Sequence, residues 1–146
     1  MIQQIQLVLS SPNDVRIPQS WSYRLYGWLM SQISSEFGEQ MHLQGEHPIA
    51  HFLCFSSEKQ SLIWTVNLLN DAARQVVFPV LESAKEIPLH ELTLPVSEVR
   101  IFPAVSAEEL IRSGRSHSET RAKIAFLSPC AFKQSGRYTI FPQETL

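Results

Sequence analysis

The sequence predicts an α+β fold in which helices cover one face of an antiparallel sheet, and three observations support this prediction. Strand-like runs with alternating apolar residues are separated by segments whose apolar residues recur at intervals of three and four. These segments follow the order strand, helix, strand, strand, helix, strand before residue 105. With 146 residues, of which 44% are apolar, the chain is also large enough to bury a core.

The first two elements are a strand and a helix. In IQQIQLVLSS, the residues Ile5, Leu7 and Leu9 alternate as on one face of a strand. A helix is predicted from about Ser20 to Ser35, because apolar residues recur there at helical spacing. These residues are Trp21, Leu25, Trp28, Leu29 and Ile33. Gly27 lies mid-helix, where glycine costs about 1 kcal/mol relative to alanine, and close packing of the helix on the sheet is the simplest reason for it.

A hairpin, a second helix and a fourth strand follow the polar loop predicted for EFGEQMHLQGEHP. IAHFLCFSS and SLIWTVNLL alternate as two strands joined by a charged turn. Asn70 and Asp71 offer an N-cap to AARQVVFPVLESAK, in which Pro79 is expected to kink the helix or to delay its start. A fourth strand is predicted from Val96 to Phe102, between two prolines.

This order is that of a ferredoxin-like βαββαβ unit, which we assign to residues 1–105. Residues 106–146 are predicted to hold a short helix around AEELI, a polar linker, and the opening strand or hairpin of a second, truncated domain of the same kind. The strand candidates are RAKIAFLSP and RYTIFP, which are expected to pair with each other because an isolated strand exposes unpaired backbone groups.

Composition excludes some classes of function. No apolar run is long enough to span a bilayer and the N-terminus lacks the features of a secretory signal, so no membrane association and a cytoplasmic location are expected. Cys54 and Cys130 form no CxxC or Cys/His cluster, so neither a metal site nor a cofactor is predicted. The net charge of −2 is uneven: residues 1–99 hold five Lys and Arg against ten Asp and Glu, whereas residues 100–146 hold seven against four. That basic end is compatible with a nucleic-acid surface or with an ordinary solvated face.

Several motifs in this order resemble a known family. They are the helix-one glycine Gly27, the pair Met41-His42, and the run Ser128-Pro129-Cys130-Ala131-Phe132. The sequence is similar in these motifs to the amino-terminal portion of the CRISPR-associated repeat-processing endoribonucleases, which belong to the repeat-associated RNA-binding (RAMP) superfamily. The resemblance implies two ferredoxin-like halves in the full protein, and RNA cleavage without metal by attack of a ribose 2′-hydroxyl, which leaves a cyclic phosphate.

The resemblance also implies site residues. His42 matches the family's acting histidine, and imidazole suits proton transfer because its pKa of about 6.5 lies near working pH. Without the resemblance, His42 is read as an exposed loop histidine. His47 is the reserve candidate, and His51, which alternates with Phe52 in a strand, is assigned a structural role.

The match is incomplete at two positions. The family's helix-one tyrosine position corresponds to Met30, and no lysine lies between His42 and Lys59. Tyr26, four residues before Met30, is the second catalytic candidate, although packing at the edge of the core is an alternative for it. An alternative function is therefore a non-catalytic RNA-binding or assembly subunit of a CRISPR ribonucleoprotein with a degraded site.

RNA contacts are predicted at basic residues, because neutralising phosphates drives most nucleic-acid affinity. The candidates are Arg24, Arg112, Arg115, Arg121, Lys123, Lys133 and Arg137. The expected partners are CRISPR repeat RNA and other CRISPR-associated subunits, and a homodimer is left open.

Overall fold

The computed structural model describes residues 1–12, 15, 17–44, 47–56, 61–116, 132–134 and 137–139, with the backbone alone at 40–44, 116 and the last two ranges. The strands are β1 Gln3–Leu9, β2 Ile49–Ser56, β3 Ser61–Leu68, β4 Glu86–Pro88, β5 Thr93–Ile101, β6 Phe132–Gln134 and β7 Arg137–Thr139. The helices are α1 Ser22–Gln32, α2 Ser35–Gln44, α3 Asp71–Ser83 and α4 Ala107–Ser116, and a 3-10 turn, Gln19–Trp21, precedes α1.

Five strands form one sheet in the order β2-β3-β1-β5-β4, and every neighbouring pair is antiparallel. When the short β4 and the helix α2 are set aside, the elements follow one another along the chain as β1, α1, β2, β3, α3, β5. This succession and the spatial strand order β2-β3-β1-β5 are those of a ferredoxin-like unit. The predicted fold class is confirmed.

The core lies between the sheet and the helices. In the register of β1 with β3, Ile5 is opposite Val66, Leu7 opposite Trp64, and Leu9 opposite Leu62. Side chains directly opposite each other in an antiparallel pair share a face, so these residues form one apolar surface. Leu25 and Leu29 of α1, and Ala73, Val77 and Leu81 of α3, are fully buried and complete the core.

The apolar face predicted for the first helix is confirmed, but Gly27 needs another explanation than packing. An added Cβ at Gly27 would meet nothing within 4 Å, and the residue is exposed. Close packing on the sheet therefore does not require this glycine, because the position points away from the sheet.

Replacement of Gly27 by alanine is expected to stabilise the protein by about 1 kcal/mol, since alanine restricts the unfolded chain and has space in the folded one. Urea unfolding followed by circular dichroism measures the change. Gly114→Ala in α4, where an added Cβ also meets nothing, is a matched comparison. Destabilisation by Gly27→Ala would contradict the open geometry.

The structure adds a helix, α2, where the sequence predicted a loop. The Ser34 hydroxyl accepts a hydrogen bond from the Phe37 amide at 3.4 Å, and Phe37 is buried in the core. The Ser34 acceptor and the buried Phe37 thus stabilise this polar, glycine-containing segment as a helix. His42 consequently lies in the last turns of a helix and not in a loop.

The predicted cap of the second long helix is confirmed. The Asn70 side chain accepts a hydrogen bond from the Ala73 amide at 2.8 Å, and α3 begins at Asp71. Pro79 lies inside α3 without delaying its start, which excludes the second of the two effects predicted for it; the kink stays a prediction. The hairpin prediction is also confirmed, because β2 pairs with β3 from Ile49 opposite Leu68 to Ser56 opposite Ser61.

β5 corresponds to the fourth strand predicted from the sequence, but it begins at Thr93, three residues before the predicted start at Val96. β5 includes Pro95, which is opposite Glu86 of the unpredicted β4. The register of β5 against β1 shifts between Val8 and Leu9, and the Ser97 hydroxyl donates to the Val8 carbonyl at 3.0 Å. This irregularity accommodates a proline inside a paired strand.

The helix predicted around AEELI extends through Ser116, further than predicted. Ser106 and Glu109 form a reciprocal cap at its start: the Glu109 carboxylate accepts from the Ser106 amide at 2.7 Å, and the Ser106 hydroxyl accepts from the Glu109 amide at 3.1 Å. β6 and β7 form a separate two-stranded sheet. RAKIAFLSP and residues 140–142 of RYTIFP lie outside the described residues, so a second domain stays a prediction. Within the described residues, no helix is long and apolar enough to cross a membrane.

Candidate active site and nucleic-acid interface

Tyr26 projects from α1 toward β2 of the sheet. Its ring stacks on the imidazole of His51 with 4.8 Å between ring centroids and 6° between ring planes. Burial raises the pKa of the Tyr26 hydroxyl, which therefore stays protonated and can donate a hydrogen bond at neutral pH. Met30, one turn further along α1, packs against the core and has no proton to give.

His51 lies on the helix-covered side of β2, between Tyr26 and the edge of Trp64. The His51 and Trp64 ring centroids are 6.3 Å apart, with an angle of 80° between the planes. Burial lowers the pKa of His51, so its imidazole is neutral at pH 7. The geometry is that of a packed aromatic cluster, in line with the structural role predicted for His51.

The lowered pKa of His51 predicts a pH dependence of folding. The unfolded state, with a histidine pKa of about 6.5, binds more protons than the folded state as the pH falls. The contribution of His51 to stability is therefore complete above that pH and is lost as the pH falls through it toward the lower folded pKa. Urea titrations at pH 7.5, 6.5 and 5.5 should show a larger loss of unfolding free energy in the wild type than in His51→Phe. Parallel losses in both proteins would contradict this.

His42 and His47 both precede β2 in the chain. The structure places the His42 backbone in α2, seven residues before β2 begins, and the His42 side chain lies outside what the structure describes. His47 is exposed and directly precedes Pro48. Tyr26 contacts the third residue of β2, so the segment that carries both histidines leads into the strand on which Tyr26 packs.

Arg24 lies on the opposite flank of α1, since residues two apart on a helix point in nearly opposite directions. Its guanidinium pairs with the Glu91 carboxylate at 3.0 Å and lies 4.2 Å from the Trp21 ring centroid. Arg24 and Glu91 border a groove of about 780 Å³ between α1 and the β4–β5 turn, lined also by Trp28 and Leu89. The structure thus does not bring Arg24 together with Tyr26.

The remaining basic candidates lie in the C-terminal part of the chain. Arg112 and Arg115 are exposed on α4, three residues apart and therefore on one side of the helix. The backbone of Lys133 lies in β6 and that of Arg137 in β7. Arg121 and Lys123 lie outside the described residues.

Sequence reasoning missed the Tyr26–His51 stack and the pairing of Arg24 with Glu91. The stack joins residues of α1 and β2, and the ion pair joins residues 67 positions apart. The alternation of His51 with Leu53 on one face of β2 could have indicated that His51 faces the helices. No group of three or more potential metal ligands occurs among the described residues.

Comparison with known proteins gives related sequences. No family model matches the chain. It is 32% identical over 130 residues to the CRISPR-associated endoribonuclease Cas6 of Streptococcus thermophilus, covering 88% of this chain and 52% of that protein. It is 28% identical over 127 residues to a protein of the same description from Mycobacterium tuberculosis, covering 84% of this chain and 40% of that protein. The chain thus spans about half the length of the curated relatives that it matches.

A solved structure described as a Cas6 product complex has a similar fold. It matches 97% of this chain and 57% of its own length, with a TM-score of 0.60 and 18% sequence identity. At that identity the likeness supports the α+β, ferredoxin-like fold.

Proposed function

Because this chain belongs to the Cas6 family of CRISPR-associated endoribonucleases and spans about half the length of its relatives, we propose that it acts in the processing of precursor CRISPR RNA. The observation that carries the proposal is the 32% identity over 88% of the chain. The proposed substrate is CRISPR repeat RNA, and the proposed location is the cytoplasm, where such RNA is transcribed. Other CRISPR-associated subunits and a second copy of the chain are proposed partners.

The proposed reaction is an intramolecular transfer within the RNA. The ribose 2′-oxygen attacks the neighbouring phosphorus, the bond from phosphorus to the 5′-oxygen breaks, and the products carry a cyclic phosphate and a 5′-hydroxyl. One proton must leave the nucleophile and one must reach the leaving oxygen. His42 is proposed to move a proton in this step, and the protonated Tyr26 hydroxyl to donate a hydrogen bond at the reacting phosphate.

Basic residues are proposed to hold the RNA backbone. Arg112 and Arg115 offer two exposed cations on one side of α4. Arg24 is free to contact a phosphate only if its ion pair with Glu91 opens, and exposed ion pairs are weak enough for this. Arg121, Lys123, Lys133 and Arg137 complete the proposed set.

A second candidate function rests on the departures from the family pattern. Met30 in place of tyrosine, and the lack of a lysine between His42 and Lys59, favour a subunit that binds repeat RNA without cutting it. This non-cleaving subunit would have the same fold, the same repeat RNA and the same partners as the proposed nuclease.

The test is incubation of the chain with labelled repeat RNA in EDTA. Cleavage that leaves a cyclic phosphate supports the nuclease, and a matched RNA with a 2′-deoxy nucleotide at the cut position should bind but resist cleavage. Binding without cleavage supports the second candidate. Affinity that does not fall with rising salt would overturn both, since phosphate contacts release counter-ions.

A further inference from the structure

The groove between α1 and the turn that joins β4 to β5 has the size and the rigid walls of a ligand site. Its volume of about 780 Å³ lies in the range of about 300–1,000 Å³ that is usual for small-ligand sites. Two backbone hydrogen bonds close the turn: the Leu89 amide donates to the Leu92 carbonyl at 2.8 Å, and the Leu92 amide donates to the Leu89 carbonyl at 3.2 Å. Glu91 lies within this closed turn and lines the groove, so this wall is already formed before a ligand binds.

The Arg24 guanidinium is held on the facing wall by three groups. It lies 4.2 Å from the Trp21 ring centroid, its Nε donates to the Tyr23 hydroxyl at 3.2 Å, and its Nη1 donates to Glu91 Oε2 at 3.0 Å. Among the described residues, these contacts leave Nη2 of Arg24 and Oε1 of Glu91 for a ligand. A hydrogen-bond donor and an acceptor therefore stand side by side at the groove.

The opposite charges of this pair favour a neutral ligand. A phosphate or an acidic side chain would be repelled by the carboxylate of Glu91, and a cation would be repelled by the guanidinium of Arg24. A peptide bond is neutral, but its N–H and C=O point in opposite directions, so it cannot bind both members of one ion pair. A nucleobase has donors and acceptors side by side on one edge, so it can bind both at once.

The lining of the groove suits a flat ring. Tyr23, which is 63% exposed, and the half-buried Trp28 both line it, and aromatic side chains stack on unpaired bases. Gly27 also lines the groove, and an added Cβ there would meet nothing within 4 Å. The glycine that packing does not require therefore leaves open space along α1 that a side chain would fill.

We propose that this groove binds one unpaired guanine base of the RNA, whose O6 accepts from Arg24 Nη2 and whose N1–H and N2–H donate to the Glu91 carboxylate. A carboxylate only accepts hydrogen bonds, so it is matched best by guanine, which carries N–H donors at two adjacent positions. The ion pair of Arg24 with Glu91 stays closed in this complex, whereas a phosphate contact requires it to open. This inference deepens the proposed function and rests on it for the choice of RNA as the ligand.

The base preference can be tested by fluorescence anisotropy of single-stranded probes with the full chain. The probes are UUUGUUU and UUUAUUU, made with 2′-O-methyl ribose so that they resist cleavage. The wild type is expected to bind the guanine probe at least about fivefold more tightly than the adenine probe, the lower end of the discrimination by one bidentate contact. Equal affinity for the two probes would overturn the proposal.

Glu91→Gln tests the acceptor. It should abolish the guanine preference, because the glutamine amide presents one acceptor and one donor, a pattern that matches adenine. The matched control Glu82→Gln removes the same charge from an exposed residue of α3 and should keep the preference. The readout is a ratio of two affinities, so a general change in attraction to RNA cancels. A preference that survives Glu91→Gln, or that Glu82→Gln also abolishes, would overturn the assignment.

Gly27→Leu tests the open space along α1. Leucine favours a helix over glycine and its side chain would enter the groove, so this variant should abolish the guanine preference without lowering the free energy of unfolding. Gly114→Leu, at a helix position with equally open surroundings, should keep the preference. An undiminished preference in Gly27→Leu would overturn the proposal, because a filled groove could not hold the base.

The source of the base and the proposed function are tested separately. Free guanosine 5′-monophosphate should bind at least about tenfold more weakly than the guanine probe, since it lacks the neighbouring phosphates. Equal affinity would overturn RNA as the ligand and with it the proposal. Cleavage of repeat RNA by a chain without guanine preference would reject this inference and keep the proposed function. Guanine-dependent binding by a chain that neither binds nor cleaves repeat RNA would reject the proposed function and keep the base site.

Discussion

Replacement of His42 by alanine is expected to reduce repeat-RNA cleavage in EDTA by about a hundredfold to ten-thousandfold, the range that one proton-transferring side chain contributes. The imidazole can accept and return a proton near neutral pH, and alanine can do neither. RNA binding should change little, because the proposed phosphate contacts lie elsewhere. Single-turnover cleavage with excess protein measures the chemical step, and filter binding measures affinity.

His47→Ala is the matched control for this experiment. His47 is exposed, lies five residues from His42, and immediately precedes Pro48 before β2. If His42 is the acting residue, His47→Ala should cleave at nearly the wild-type rate. If His47→Ala cleaved much more slowly than His42→Ala, His47 would be the proton-transferring residue instead. If both variants cleaved at the wild-type rate, neither histidine of this segment would take part in catalysis.

Replacement of Trp64 by alanine is expected to destabilise the fold by about 3–5 kcal/mol, the usual cost of removing a large core aromatic. Trp64 is fully buried at the centre of β3, and its ring meets the edge of Trp28 with centroids 6.3 Å apart. A loss of this size is a large fraction of the stability of a small domain. Urea unfolding, followed by far-UV circular dichroism, gives the change.

Two variants test whether the loss at Trp64 arises from the buried ring. Trp28→Ala removes a half-buried indole from α1 and should cost less. Trp64→Phe keeps a ring and removes the indole nitrogen, which is buried and has no hydrogen-bond partner among the described residues, so it should also cost less than alanine. If Trp64→Ala lowered the free energy of unfolding less than Trp28→Ala does, this would contradict the central position of Trp64 in the core.

The sequence predicts those elements whose pattern reflects burial. The paired faces of β1, β2 and β3 and the apolar face of α1 follow from period-two and period-3.6 spacing, because each buries a continuous row of side chains. α2 was missed because its segment, EFGEQMHLQ, is largely polar and contains a glycine, which are features typical of a loop. β4 was missed because three residues are too few to show alternation.

The candidate site could be predicted only in part, for a different reason. His42 and Tyr26 were found through family resemblance and residue chemistry, and both kinds of reasoning need only the sequence and not the positions of neighbouring elements. The stack of Tyr26 on His51 and the pairing of Arg24 with Glu91 depend on how α1 lies over the sheet. Such contacts between distant positions leave no local pattern in a sequence.

The position of β1 between β3 and β5 has a consequence for the synthesis of this protein. Among the strands of this sheet, β1 is synthesised first, yet it occupies the middle of the sheet and its Ile5 pairs with Ile101. The sheet therefore cannot close until residue 101 has emerged, and until then the side of β1 that pairs with β5 lacks its partner even when β3 is in place. Long-range closure of this kind slows folding, so a nascent chain stalled before β5 should be a preferred client of chaperones.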